Sequence, residues 1–198
     1  MPSFTPRQVA VRAQEAASQL VAALDGAALV PKFLRGYVDE KKRPGRTANP
    51  QRYRDLVETI RREALLVMVL QVDIDAPRRL GMPRTARAAT PRQVELADLF
   101  RGEFYVALGR RLNWDDEEFA AFCRDLDLFR KLYADVPRVS HRSRALAPPT
   151  GPFVDRCGLL LDAPMLDQAR RAAAKFEAEL IAAASAVLKK VFSASKRR

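Results

Sequence analysis

Apolar residues recur every three or four positions along almost the whole chain, and no segment sustains apolar–polar alternation at period two. Spacing of three and four lines up side chains on one face of an α-helix, whereas a half-buried strand needs strict alternation. The pattern therefore predicts an all-α fold: a five- to six-helix bundle with Pro/Arg-rich connecting loops and a long C-terminal helix.

The punctuation between stripes places the helices. Thr5-Pro6-Arg7-Gln8 is a helix start, with Thr5 as cap, Pro6 in the first turn and Gln8 closing a capping box. Val9, Ala13, Ala16, Ala17, Leu20, Val21 and Leu24 form the stripe that follows, Asp25-Gly26 breaks it, and Val30, Phe33, Leu34, Tyr37 and Val38 carry a second piece. Asn49-Pro50 opens a helix through Tyr53, Leu56, Ile60 and Ala64, whose second half is apolar nearly all round and so belongs at the centre. Thr90-Pro91-Arg92-Gln93-Val94 repeats residues 5–9 letter for letter and starts a helix to about Leu112, with Val94, Ala97, Phe100, Phe104, Ala107 and Leu108 on one face. The likeness decays at once, so it marks one capping solution used twice rather than a duplication. Asn113 or Asp115 caps the next helix, lined by Phe119, Phe122, Cys123, Leu126, Phe129 and Tyr133. Phe153–Leu161 fits strand or helix. Asp162-Ala163-Pro164 opens the last helix, with a stripe of Met165, Ala169, Ala172, Ala173, Phe176, Leu180, Ile181, Ala184, Val187, Leu188 and Val191.

Three stretches break the periodicity: 39–50, 75–89 and 135–152, all with prolines. The organisation expected is an N-terminal bundle over 1–136, a Pro/Arg-rich linker or loop over 137–152, and a C-terminal helical part over 153–198 packed on the bundle as one domain. With 48% hydrophobic residues in 198, a core needs no disulfide staples. Two cysteines make no disulfide framework; Cys123, on its stripe, is expected buried and reduced. The longest apolar run, Ala64–Leu70, is far short of a bilayer span, and the N-terminus lacks a signal-peptide pattern. A cytoplasmic protein without a membrane span is the expectation.

Charge is the strongest functional cue. Thirty-five Lys and Arg face 24 Asp and Glu, a net of +11. A strongly basic balance is one mark of a nucleic-acid binder, although an Arg-rich composition also follows from codon bias. The basic residues gather in and beside the Pro-rich loops. Lys41, Lys42, Arg43, Arg46, Arg52 and Arg54 surround the first; Arg78, Arg79, Arg84 and Arg87 the second; Arg142 and Arg144 the third. These are the candidate contacts to nucleic acid or another polyanion, if the loops converge on one surface. Only Tyr37 and Tyr53 flank a basic loop where they could stack on bases.

Catalytic signatures are missing. There is no phosphate-binding Gly loop and no dinucleotide fingerprint, so no cofactor is expected. Asp115, Asp116, Glu117 and Glu118 are consecutive and fan around a helix start, where the dipole favours them, so they are not read as a metal site. His141, the one histidine, sits among arginines in a loop and is read as a surface residue. A helix-turn-helix over Thr90–Leu112 fits poorly, since no tight turn divides that stretch. The reading is a non-enzymatic basic helical protein contacting nucleic-acid backbone, as one subunit of a larger complex. Its alternatives are a helical scaffold or adaptor that binds a protein or self-associates through the Ala-rich C-terminal helix, and an enzyme whose site is assembled from residues distant in sequence.

Overall fold

The computed structural model of the chain describes residues 4–26, 29–39, 50–83, 88–134, 152–160 and 167–193. They form helices α1 (Pro6–Gly26), α2 (Leu29–Asp39), α3 (Pro50–Arg79), α4 (Pro91–Leu112), α5 (Asp116–Ala134), α6 (Pro152–Leu160) and α7 (Asp167–Ser193), with no strand among the described residues. The fold is all-α, as the periodicity predicts. The segment left open between strand and helix is α6. At 27 residues α7 is a rod of about 40 Å; the helix start expected at Asp162-Ala163-Pro164, and Met165, lie outside the described residues.

Both copies of the Thr-Pro-Arg-Gln sequence make the same capping box. The Thr5 and Thr90 amides donate to Gln8 and Gln93 Oε1 at 3.0 and 2.9 Å, and the two Gln amides donate back to the Thr Oγ1 atoms at 3.3 Å. The ambiguity at 113–115 resolves into two roles. Asn113 ends α4 in the left-handed conformation, φ 54°, where the Arg110 and Gly109 carbonyls accept its N–H. Asp115 then caps α5 in a further box: its Oδ1 accepts from the Glu118 amide at 2.8 Å, and Glu118 Oε2 accepts from the Asp115 amide at 3.1 Å. Gly109 packs closely at this corner: a Cβ there would lie 3.3 Å from the Phe119 ring, which would have to give by a few tenths of an ångström.

Two expectations need correction. The second loop does not begin at Asp75: α3 continues through Pro77 to Arg79. Proline so near a helix C-terminus removes one intrahelical hydrogen bond, and the stripe Val69, Val72, Ala76, Leu80 stays buried across it, which offsets the loss. The helix stops at Gly81, φ 88°, with Met82 N–H donating to Pro77 O at 2.9 Å and Gly81 N–H to Arg78 O at 3.1 Å. Secondly, Val94 is exposed rather than core. At 3.6 residues per turn it lies about 120° round α4 from Phe100, and Leu96 takes the buried position instead. Ala172 is likewise exposed, at the edge of the α7 stripe.

The chain divides into two compact units. Unit 1 comprises Met1–Ala23, Met68–Arg124 and Ala182–Arg198; unit 2 comprises Leu24–Val67 and Asp125–Ile181. In unit 1 the α1 stripe from Val9 to Val21 is buried with Phe100, Phe104, Leu108, Phe122, Leu188 and Val191. Arg12, also buried, donates from Nη1 to the Val191 carbonyl near the end of α7 at 2.6 Å, and its guanidinium lies over the Phe4 and Phe192 rings at 5.0 and 5.3 Å. Burial lowers its pKa, opposed in part by Glu15. Two ring faces and a helix-terminal carbonyl replace part of the water this cation gives up, while Nε is buried without a hydrogen-bond partner among the described residues. In unit 2, Phe33 stacks on Phe176 at 4.6 Å and Phe153 meets the same ring at 5.8 Å, beside buried Ile60, Leu65 and Leu180.

Candidate functional site

Of the twelve basic residues singled out in the sequence, Lys41, Lys42, Arg43, Arg46, Arg84, Arg87, Arg142 and Arg144 lie outside the described residues, as does His141. Arg52 and Arg54 are on α3 in unit 2, and Arg54 is exposed. Arg78 and Arg79 close the same helix in unit 1; both are exposed, and Arg78 Nη1 stands 3.6 Å from Asp75.

Seven of the described arginines stand within ion-pair distance of a carboxylate. Arg61 grips Asp25 through two hydrogen bonds of 2.9 and 3.0 Å, and Arg62 reaches Asp125 at 2.8 Å. Arg101 stands 3.7 Å from Asp73 and 3.5 Å from Asp98, Arg130 pairs with Asp127 at 2.6 Å, and Arg170 lies 3.5 Å from Asp155. The bookkeeping of charge follows suit. The described residues hold 23 of the 35 basic residues and 21 of the 24 acidic ones, so they carry only +2 of the net +11. The other +9 belongs to residues 40–49, 84–87, 135–151, 161–166 and 194–198.

Unit 2 also holds a polar cluster that no sequence motif announces. Glu63 is buried, and Arg156 of α6 grips it through Nε and Nη2 at 2.6 and 2.5 Å while lying over the Phe129 ring at 5.2 Å. Tyr133 donates its hydroxyl to Glu177. Cys157, fully buried, feels Glu63 and Glu177. Burial first, and those two carboxylates second, push the Cys157 thiol well above its ordinary range; burial and Glu177 do the same to the Tyr133 phenol. Both groups are thus held protonated. A thiol so placed is a poor nucleophile, because the thiolate is the reactive form. Cys123 is half-buried rather than buried, and both cysteines are thiols.

Stability should consequently fall in alkali. The unfolded chain releases the thiol proton near pH 8.5 and the phenol proton near pH 10, while the folded chain keeps both, so each group contributes stability that is whole below its unfolded value and lost as pH rises above it, by up to about 1.4 kcal/mol per pH unit. Urea midpoints should drop between about pH 8 and pH 10, and Cys157→Ala should flatten the first part of that drop. A wild-type midpoint that holds steady over this range would refute the assignment.

The surface of unit 1 has an open groove of about 340 Å³ between α1 and α4, lined by Gln14, Ser18, Glu103, Val106, Ala107, Arg110 and Arg111. Gln14 Nε2 donates to Glu103 Oε2 at 3.1 Å. No sequence pattern marks it, since its two walls are some ninety residues apart. Asp115 and Glu118 are occupied in their capping box, and among the described residues no group of three or more His, Cys, Asp or Glu side chains could hold a metal ion. Pro6–Leu34 is long and apolar enough to cross a bilayer by composition alone; within α1, Val9, Ala13, Ala16, Ala17 and Leu20 are fully buried against protein. Comparison with models of protein families, with curated protein sequences and with solved structures finds no match.

Proposed function

We propose that this protein binds nucleic-acid backbone without catalysis, through the basic segments that join its helices. The partition of charge carries the reading. An arginine excess imposed by codon usage alone would fall on helices and connections alike. Here the helical framework is close to neutral, and nearly all the excess belongs to the intervening and terminal segments. Arginine and lysine concentrated in this way attract phosphates chiefly by counterion release, which gives affinity without base reading. Nine of the ten phenylalanines fall in or beside predicted helices, which leaves few aromatic rings for stacking and agrees with a backbone binder.

Fluorescence anisotropy of labelled duplex and single-stranded oligonucleotides, at about 50 and 200 mM salt, tests this. Contact with about six phosphates would weaken binding roughly a thousandfold between those concentrations. No binding at the lower concentration, or binding indifferent to salt, would remove the proposal.

A further inference from the structure

We infer that the groove between α1 and α4 is a docking surface for a protein partner: an amphipathic helix presenting an apolar side chain flanked by carboxylates. The walls are single helix faces. Gln14 and Ser18 lie one turn apart on α1, and Val11, 57% exposed, continues that face. Glu103, Val106, Ala107 and Arg110 occupy positions i, i+3, i+4 and i+7 of α4, with Val106 47% exposed. An open crevice between two helices, with small residues Ser18 and Ala107 along it and Val106 in its wall, suits the i, i+3, i+4 anchors of a third helix.

Charge selects the occupant. Arg110 and Arg111 line one end, and among the described residues no carboxylate lies within ion-pair distance of either. They are also at the C-terminal end of α4, where the helix dipole favours cations, so they hold their places without a partner. A partner carboxylate would complete both. A phosphodiester backbone fits this surface less well: Glu103 would repel it, and the exposed valines would gain nothing from it. The inference is independent of the proposed nucleic-acid binding, which rests on other residues.

The test uses the full chain and a synthetic stapled helical peptide bearing Leu at i and i+4 and two Glu one turn further on, read by anisotropy. Arg110→Glu with Arg111→Glu should weaken binding at least about tenfold, and a peptide with Lys in place of Glu should recover the loss. Ser18→Trp, at an exposed position that should tolerate it, should block the groove without changing helicity. Failure of the acidic peptide to bind, or equal binding to wild type and Ser18→Trp, overturns the inference. So does an equal loss from Arg54→Glu, in the other unit, which would mean that net charge alone is being read. Competition by duplex nucleic acid that is lost in the Arg110/Arg111 variant would also overturn it, because the groove would then belong to a polyanion surface.

Discussion

Arg156→Met should destabilise the protein by about 3 kcal/mol, because it leaves Glu63 charged, buried and without its partner. Glu63 is 4% exposed, whereas the Arg156 side chain is 31% exposed. That asymmetry decides which half of the pair matters more. With Arg156 gone, the carboxylate has no route to water. With Glu63 gone, the guanidinium can turn toward solvent, and it keeps the Phe129 ring. Glu63→Gln should therefore cost less, about 1–2 kcal/mol, and the double replacement Glu63→Met with Arg156→Leu should come close to wild type. Urea midpoints at about pH 7 measure these deficits. A deficit below that of Glu63→Gln at neutral pH would show that the carboxylate is better solvated than its burial implies.

Changing Lys41, Lys42, Arg43 and Arg46 together to Gln should weaken nucleic-acid binding by on the order of a hundredfold at low salt, and should reduce the slope of log affinity against log salt by roughly three to four. Four charges are removed from one short segment, and each phosphate they contact contributes about 0.9 to the slope on duplex DNA. The same number of changes among paired helical arginines, such as Arg61, Arg62, Arg130 and Arg170, should leave the slope nearly intact while lowering stability. Circular dichroism and thermal melting separate the two outcomes. If both sets alter the slope equally, binding follows net charge and the connecting segments have no special part in it.

The outline of the helices was legible because local chemistry writes it. Thr5-Pro6 and Thr90-Pro91 satisfy orphan amides with their own Gln side chains, and no distant residue is needed. The all-round apolar stretch of α3 was legible for the same reason, and Glu63 through Val69 are indeed all buried. Glu63 is itself a local signal of that burial: a carboxylate at the head of a fully apolar run must find a cation or stay protonated. Helix ends read less well. The burial of Ala76 and Leu80, which carries α3 past Pro77, depends on what packs against them. The groove left no trace, because Gln14 and Glu103 become neighbours only when α1 and α4 pack side by side.

By itself, then, the sequence determined the helical class, the caps, the buried apolar stretch of α3 and the concentration of positive charge between helices, since periodicity, side-chain hydrogen bonding and charge counts act within a few residues. Only the tertiary structure decided which arginines are neutralised, that Cys157, Tyr133, Glu63 and Glu177 share one part-buried cluster, and that Arg110 and Arg111 border a groove. Those outcomes rest on contacts between residues tens of positions apart, and such contacts are fixed by how helices pack, not by the order in which their residues are written.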